Sequence, residues 1–183
     1  YAETDSVINI LPQQFQQFNP FFVVALTPFS LLLFSSLASK GKEPSAPRKI
    51  ALGMLVAGIA YCIMTLGSMG MPTPADIKAD ASSLTNPASP NLLISTYLVL
   101  TFAELLLSPM GISFVSKVAP PKLKGAMMGG WFAATAVGNY AVQITGRLWG
   151  DLPLVAIWGI LIGLCLMAAV FMFSMMKRLE KVC

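Results

Sequence analysis

The chain contains no histidine, and only 11% of its 183 residues are charged. Without His it lacks the side chain that most often shuttles protons near neutral pH and most often ligates metals. Soluble domains carry about 25% charged residues, so this shortage excludes an ordinary soluble globule. Cysteine is scarce as well. Cys62, Cys165 and Cys183 are an odd number, and the first two lie in apolar runs. They are expected to be small buried hydrophobes, with no disulfide framework. The opening YAETDSVINI has no basic flank ahead of an apolar core, so no signal peptide is expected there. The net charge of +4 comes from short basic clusters between apolar runs, which gives no reason to expect a nucleic-acid partner.

What the chain does have is hydrophobic residues (56% of the total), gathered in runs of about 20 residues with almost no charge. A helix rises about 1.5 Å per residue and a bilayer core is about 30 Å thick, so each run is long enough to cross. The expected fold is an all-α integral membrane protein with five transmembrane helices, at 19–39, 50–70, 92–116, 125–149 and 153–176. Between them lie a first loop at 1–18, polar linkers at 40–49, 71–91 and 117–124, a turn at 150–152 and a tail at 177–183. The linkers 40–49 and 117–124, with the tail, hold ten of the twelve Lys and Arg residues. By the positive-inside rule these are cytoplasmic, and the beginning of the chain is outside. The linker at 71–91, rich in Pro, Ala and Ser, is expected to be irregular. Ala126, Gly130, Ala134 and Gly138 form a small-residue stripe, and Gly159 and Gly163 a GxxxG pair, both suited to close helix approach.

One charge breaks the pattern. Glu104 sits at the midpoint of the run 92–116, with 12 residues on either side and no other charge. An ionisable group at that depth costs about 2.5–3.5 kcal/mol on insertion scales and is tolerated where it faces a cavity or a partner. Ser108 lies one turn on, on the same helical face. Pro109 removes a backbone hydrogen bond and is expected to kink or break the helix just beyond. Glu104 reads either as a functional carboxylate or as half of an interhelical ion pair. Ser108 either faces the site or bonds its own helix at the i−4 carbonyl. Asn19, followed by Pro20, is either a helix cap or a ligand group. Trp131 lies at interface depth, where Trp often anchors in headgroups.

In these residues the chain resembles the proton-dependent oligopeptide transporter family of the major facilitator superfamily. The matching strings are, in order, FNPFFVVALTPF, AELLLSPMGIS, APPKLKGAMMGGWF and AVGNY, and the resemblance runs from about Gln17 to the fifth span. The resemblance implies that the five spans are helices eight to twelve of a twelve-helix bundle. It implies that Glu104 binds the peptide amino terminus and takes part in proton coupling. Ser108 then matches the polar residue one turn beyond, Asn19 the helix-eight asparagine that hydrogen-bonds the peptide, and Trp131 the pocket-lining tryptophan of helix eleven, with Phe132 beside it. The family's helix-one E-x-x-E-R motif, its amino-terminal basic residues and its helix seven have no counterpart here.

The resemblance therefore implies the carboxy-terminal part of a proton-coupled di- and tripeptide symporter in a bacterial inner membrane, working by alternating access. Its coupling ion is H⁺, with no cofactor and no metal. Its partners are the peptide, the lipid bilayer and the amino-terminal half of the same transporter. The nearest alternative is a relative that carries nitrate or another small solute. A non-transporting scaffold subunit would leave a lone midplane Glu unexplained. An intramembrane enzyme would need a His, a second intramembrane acid or a base for Ser108.

Overall fold

The fold was analysed in a computed structural model that describes residues 16–73, 76, 90–149 and 152–181. Five long α-helices occupy them: α1 (Phe18–Ser39), α2 (Ala46–Gly67), α3 (Pro90–Val118), α4 (Lys124–Leu148) and α5 (Leu154–Leu179). A short 3₁₀ turn, Pro121–Leu123, leads into α4. No strand occurs among the described residues. Four helices, α1, α2, α3 and α5, are long and apolar enough to cross a membrane. α4 has the length, at 25 residues, but its Gly, Thr, Asn and Gln content lowers its hydropathy. The first loop, up to residue 15, and most of the linker expected at 71–91 lie outside the described residues.

α2 is the central helix, with α3 on one side and α5 on the other. Ala51 and Ala60 of α2, Ala103 and Leu106 of α3, and Ile157 and Ala169 of α5 are buried between them. Gly53 lets α2 and α3 close up, since a Cβ there would meet the Ala103 carbonyl oxygen at 3.0 Å and the Leu106 Cβ at 3.1 Å. α1 packs against α3, and α4 touches α3 more lightly. The end of α2 meets the start of α3 (Gly67 against Leu92) and of α5, where Trp158 Nε1 donates to Ser68 Oγ at 3.0 Å. At the other end of α2, Arg48 pairs with Glu180 just past α5, Nε to Oε1 at 2.6 Å. Both α3 and α5 therefore run antiparallel to α2.

Several boundaries differ from the sequence reading, each for a local reason. α2 begins at Ala46, so the last four residues of the expected linker 40–49 are helix. Pro47 suits the first turn of a helix. Lys49 can lie within it because its ammonium pairs with Glu43 and sits 4.2 Å over the Phe34 ring. Lys49 is only 4% exposed, a burial that a charge tolerates only when paired. α3 runs through Pro109 as one helix instead of breaking there. Membrane helices accept such a proline where neighbours compensate. α1 ends at a Schellman turn, with Lys42 N–H donating to the Leu37 carbonyl and Gly41 N–H to that of Ala38, both at 2.9 Å. Gly41 takes the required positive φ of 63°. The small-residue positions Gly130, Gly138, Gly159 and Gly163 have open space within 4 Å, so no described helix uses either stripe. Cys62 is exposed, whereas Cys165 is half-buried on the face of α5 turned to α2, where its Cβ lies 3.7 Å from a Cβ added at Gly58. Cys183 lies outside the described residues.

Candidate functional site

Residues 97–108 of α3 place Tyr97, Leu100, Thr101, Glu104, Leu107 and Ser108 on one face, at the three- and four-residue spacing of a helix. Most of that face, with Asn19 from α1, Ala57 and Tyr61 from α2 and Asn139 from α4, lines a cleft of about 570 Å³. The volume lies within the range of about 300–1,000 Å³ usual for small-molecule pockets. Four helices thus contribute to one recess, and the Glu104 carboxyl is exposed to it. No Lys or Arg is among the residues that line it.

Asn19 is not a cap. α1 begins one residue earlier, Gln17 holds the cap position, and no side chain caps that end. The Asn19 amide instead crosses to α3. Its Nδ2 donates to Glu104 Oε2 at 3.4 Å, and its Oδ1 accepts from the Thr101 hydroxyl at 2.7 Å. Ser108 makes no hydrogen bond to its own helix among the described residues, although Thr27, Thr65 and Thr96 each bond an i−4 carbonyl. Its hydroxyl remains free to face the cleft.

Three of the five residues singled out in the sequence, Asn19, Glu104 and Ser108, therefore meet at one place. Trp131 and Phe132 are not among the residues that line it. The six-membered end of the Trp131 ring reaches Gly111 of α3, where an added Cβ would come within 2.2 Å of Cη2. Phe132 faces outward and is 57% exposed. The sequence reading missed Tyr97 and Thr101, which the helical spacing back from Glu104 would have found. It also missed Tyr61 and Asn139, which no local signal marks. Asn139 lies within the AVGNY string but gained no role there.

This geometry can hold a small solute bearing a cationic group. The carboxylate supplies charge, Asn19 and Asn139 supply amide donors and acceptors, and Ser108 and the two tyrosines supply hydroxyls. The PTR2 family model, described as the POT family, matches residues 2–154.

The chain belongs to the POT family. Among curated relatives, the dipeptide and tripeptide permease B of Salmonella typhimurium is 34% identical over 140 residues, covering 74% of this chain and 26% of that protein. The peptide transporter YePEPT of Yersinia enterocolitica is 32% identical over 132 residues, covering 72% of this chain and 24% of its own length. Among solved structures, a POT peptide transporter in complex with sulfate superposes with a TM-score of 0.77 at 24% identity, over 96% of this chain and 33% of that one. A mutant POT transporter in complex with alafosfalin superposes at 0.72 and 25% identity, over 98% of this chain and 34% of that one. The chain thus spans about a quarter of the length of the curated POT relatives it matches. Family and apolar helices together make it part of a multi-pass membrane protein.

Proposed function

We propose that this chain forms the carboxy-terminal part of a proton-coupled symporter of di- and tripeptides that works by alternating access in a bacterial inner membrane. The observation that carries the reading is the meeting of Asn19, Glu104 and Ser108 in one cleft beside a carboxylate that has no cation among its lining residues. A charge near mid-bilayer needs a counter-charge or a proton. In this reading Glu104 exchanges three partners: a basic residue from the amino-terminal half, a proton, and the ammonium of the peptide. A proton taken up from outside displaces the basic partner as the peptide binds, proton and peptide are released together inside, and the basic partner neutralises the empty carboxylate through the return. All five helices cross the membrane, α4 among them, with its polar residues turned to the translocation path. The basic linkers and the tail face the cytoplasm. The relatives named as peptide permeases support the substrate class, and the alafosfalin complex of a structural neighbour supports a peptide-like ligand.

The test is uptake of a labelled dipeptide into liposomes that hold the full-length protein containing this chain, with and without an inward proton gradient. Accumulation that requires the gradient is expected. No accumulation by protein shown competent with another solute would remove peptide as the substrate and leave the fold untouched.

A further inference from the structure

Thr101 is fully buried, with 0% of its surface exposed, one turn before Glu104. Its hydroxyl has one proton and two acceptors at equal distance. Asn19 Oδ1 is 2.7 Å away, and so is the carbonyl oxygen of Tyr97 in its own helix. A hydroxyl donates once, so it serves one acceptor at a time and can accept on its lone pairs while it does so. An ionised Glu104 only accepts, so it requires Nδ2 of Asn19 on its side, and Oδ1 must then face Thr101. The buried hydroxyl is what makes that orientation satisfactory, since an amide oxygen turned into an apolar wall would lose a hydrogen bond.

We propose that Thr101 is a positioning residue for the Asn19–Glu104 pair: its hydroxyl holds the amide with Nδ2 on the carboxylate, and releases it by turning to the Tyr97 carbonyl when a cationic amine needs the amide oxygen. In the first arrangement the bonds run from Thr101 O–H to Asn19 Oδ1 and from Asn19 Nδ2 to Glu104. In the second, Thr101 O–H donates to Tyr97, Nδ2 donates to Thr101 Oγ1, and Oδ1 faces the cleft beside the carboxylate. No proton leaves any of the three side chains. The rearrangement needs only rotation about the Thr C–O bond and about the amide's terminal torsion, which is broad and roughly two-fold. A substrate ammonium would then meet two acceptors, one charged and one neutral. The other titratable groups that line the cleft are Tyr61 from α2 and Tyr97 from α3, while α1 and α4 contribute the neutral Asn19 and Asn139. The holding step stands on the geometry alone, and the releasing step rests on the peptide reading above.

The experiment compares Thr101→Val, which keeps the shape and loses the hydroxyl, with Thr101→Ser, which keeps the hydroxyl, in the full-length protein reconstituted in lipid. Infrared difference spectra without substrate, with Glu104→Gln used to assign the carboxylate band, read the holding step. The band is expected to shift in the valine variant and to return in the serine variant. Dipeptide affinity reads the releasing step. A drop of about tenfold is expected for valine, the loss of about one hydrogen bond, with recovery for serine and little change for an amino-terminally acetylated dipeptide. Should the valine protein fail to assemble, Thr101→Cys, a weak donor, takes its place. A carboxylate band unmoved by loss of the hydroxyl overturns the proposal. A band that shifts in a wild-type background that binds no dipeptide would uphold the holding step and overturn the peptide reading with the release built on it.

Discussion

The trio α2–α3–α5 and the pair α1 and α4 put their helical sequence to opposite ends. In the trio, Gly53 and the alanines Ala51, Ala60 and Ala103 let backbones approach, and α2 has buried residues along most of its length. α4 has no buried residue at all, and α1 has only Ser30. Yet these two loosely held helices supply Asn19 and Asn139 to the cleft, whose charged side chain, Glu104, belongs to the firm trio. A rigid helix carries the charge, and helices with little packing of their own carry the groups that meet it. Elements that must move are drawn from the least stable parts of a fold. The contrast also explains why polar residues crowd onto α4, since its faces do not have to fill a core within this chain.

The sharpest break of that contrast is Glu104→Gln, which removes the one charge of the cleft and leaves its shape. Truncating one side of a desolvated ion pair costs about 2–5 kcal/mol, or about 30-fold and more in affinity. Dipeptide exchange and proton-driven uptake are both expected to fall by at least that factor. Wild-type rates in both assays would end the role proposed for Glu104. Contacts between helices provide the next largest effect. Gly53→Ala should destabilise by about 1–3 kcal/mol, because the added methyl meets backbone that cannot give way. Gly138→Ala on α4 meets open space and should be neutral or gain up to about 1 kcal/mol of helix propensity. Thermal unfolding of the full-length protein checks both. A cost at Gly138 as large as that at Gly53 would place a helix from outside this chain on that face.

A smaller effect is expected where α4 touches α3. Gly111→Ala puts a methyl where the Trp131 ring now lies, but the obstacle is a side chain that can rotate. The ring should swing off α3 at little cost in stability, and its fluorescence should move to the red. An emission spectrum unchanged from wild type would mean that Trp131 does not rest on Gly111.

Glu104 was legible in the sequence because a lone acid in the middle of an apolar run of 25 residues has few bland explanations. Ser108 followed from helical spacing, and Asn19 from the family resemblance. The cap reading of Asn19 failed because a cap is judged from neighbours in sequence, whereas its partners, Thr101 and Glu104, lie 82 and 85 residues away. The start of α2 was misplaced for a similar reason. Lys49 looks like a loop residue until Glu43 and Phe34 are seen around it. Periodicity reports which residues share a face, so Tyr97 and Thr101 were recoverable. Nothing along the chain reports which faces meet, so Tyr61 and Asn139 were not.

The smallest expected effect lies at the end of the trio, where Glu180 ties the beginning of α2 to the end of α5. The hydroxyl of Ser45 donates to Oε1 at 2.6 Å, and Arg48 Nη2 to Oε2 at 3.2 Å. The Ser45 hydrogen bond, then the Arg48 guanidinium, hold the Glu180 carboxyl below the ordinary glutamate value of 4.5. A carboxyl depressed on folding adds stability that is fully present above its unfolded pKa and is lost as the pH falls through its folded one. The tie should therefore be intact at neutral pH and weaken only below about 4.5. Arg48 is well exposed, so the contribution is that of a surface pair, small and screened by salt. Glu180→Gln should lower the unfolding temperature slightly at pH 7 and leave no difference from wild type at the acid end. A difference that stayed constant down to that end would mean that the carboxylate charge does not hold α2 to α5, and the buried residues Ile157 and Ala169 with the Trp158–Ser68 hydrogen bond would be left to do so.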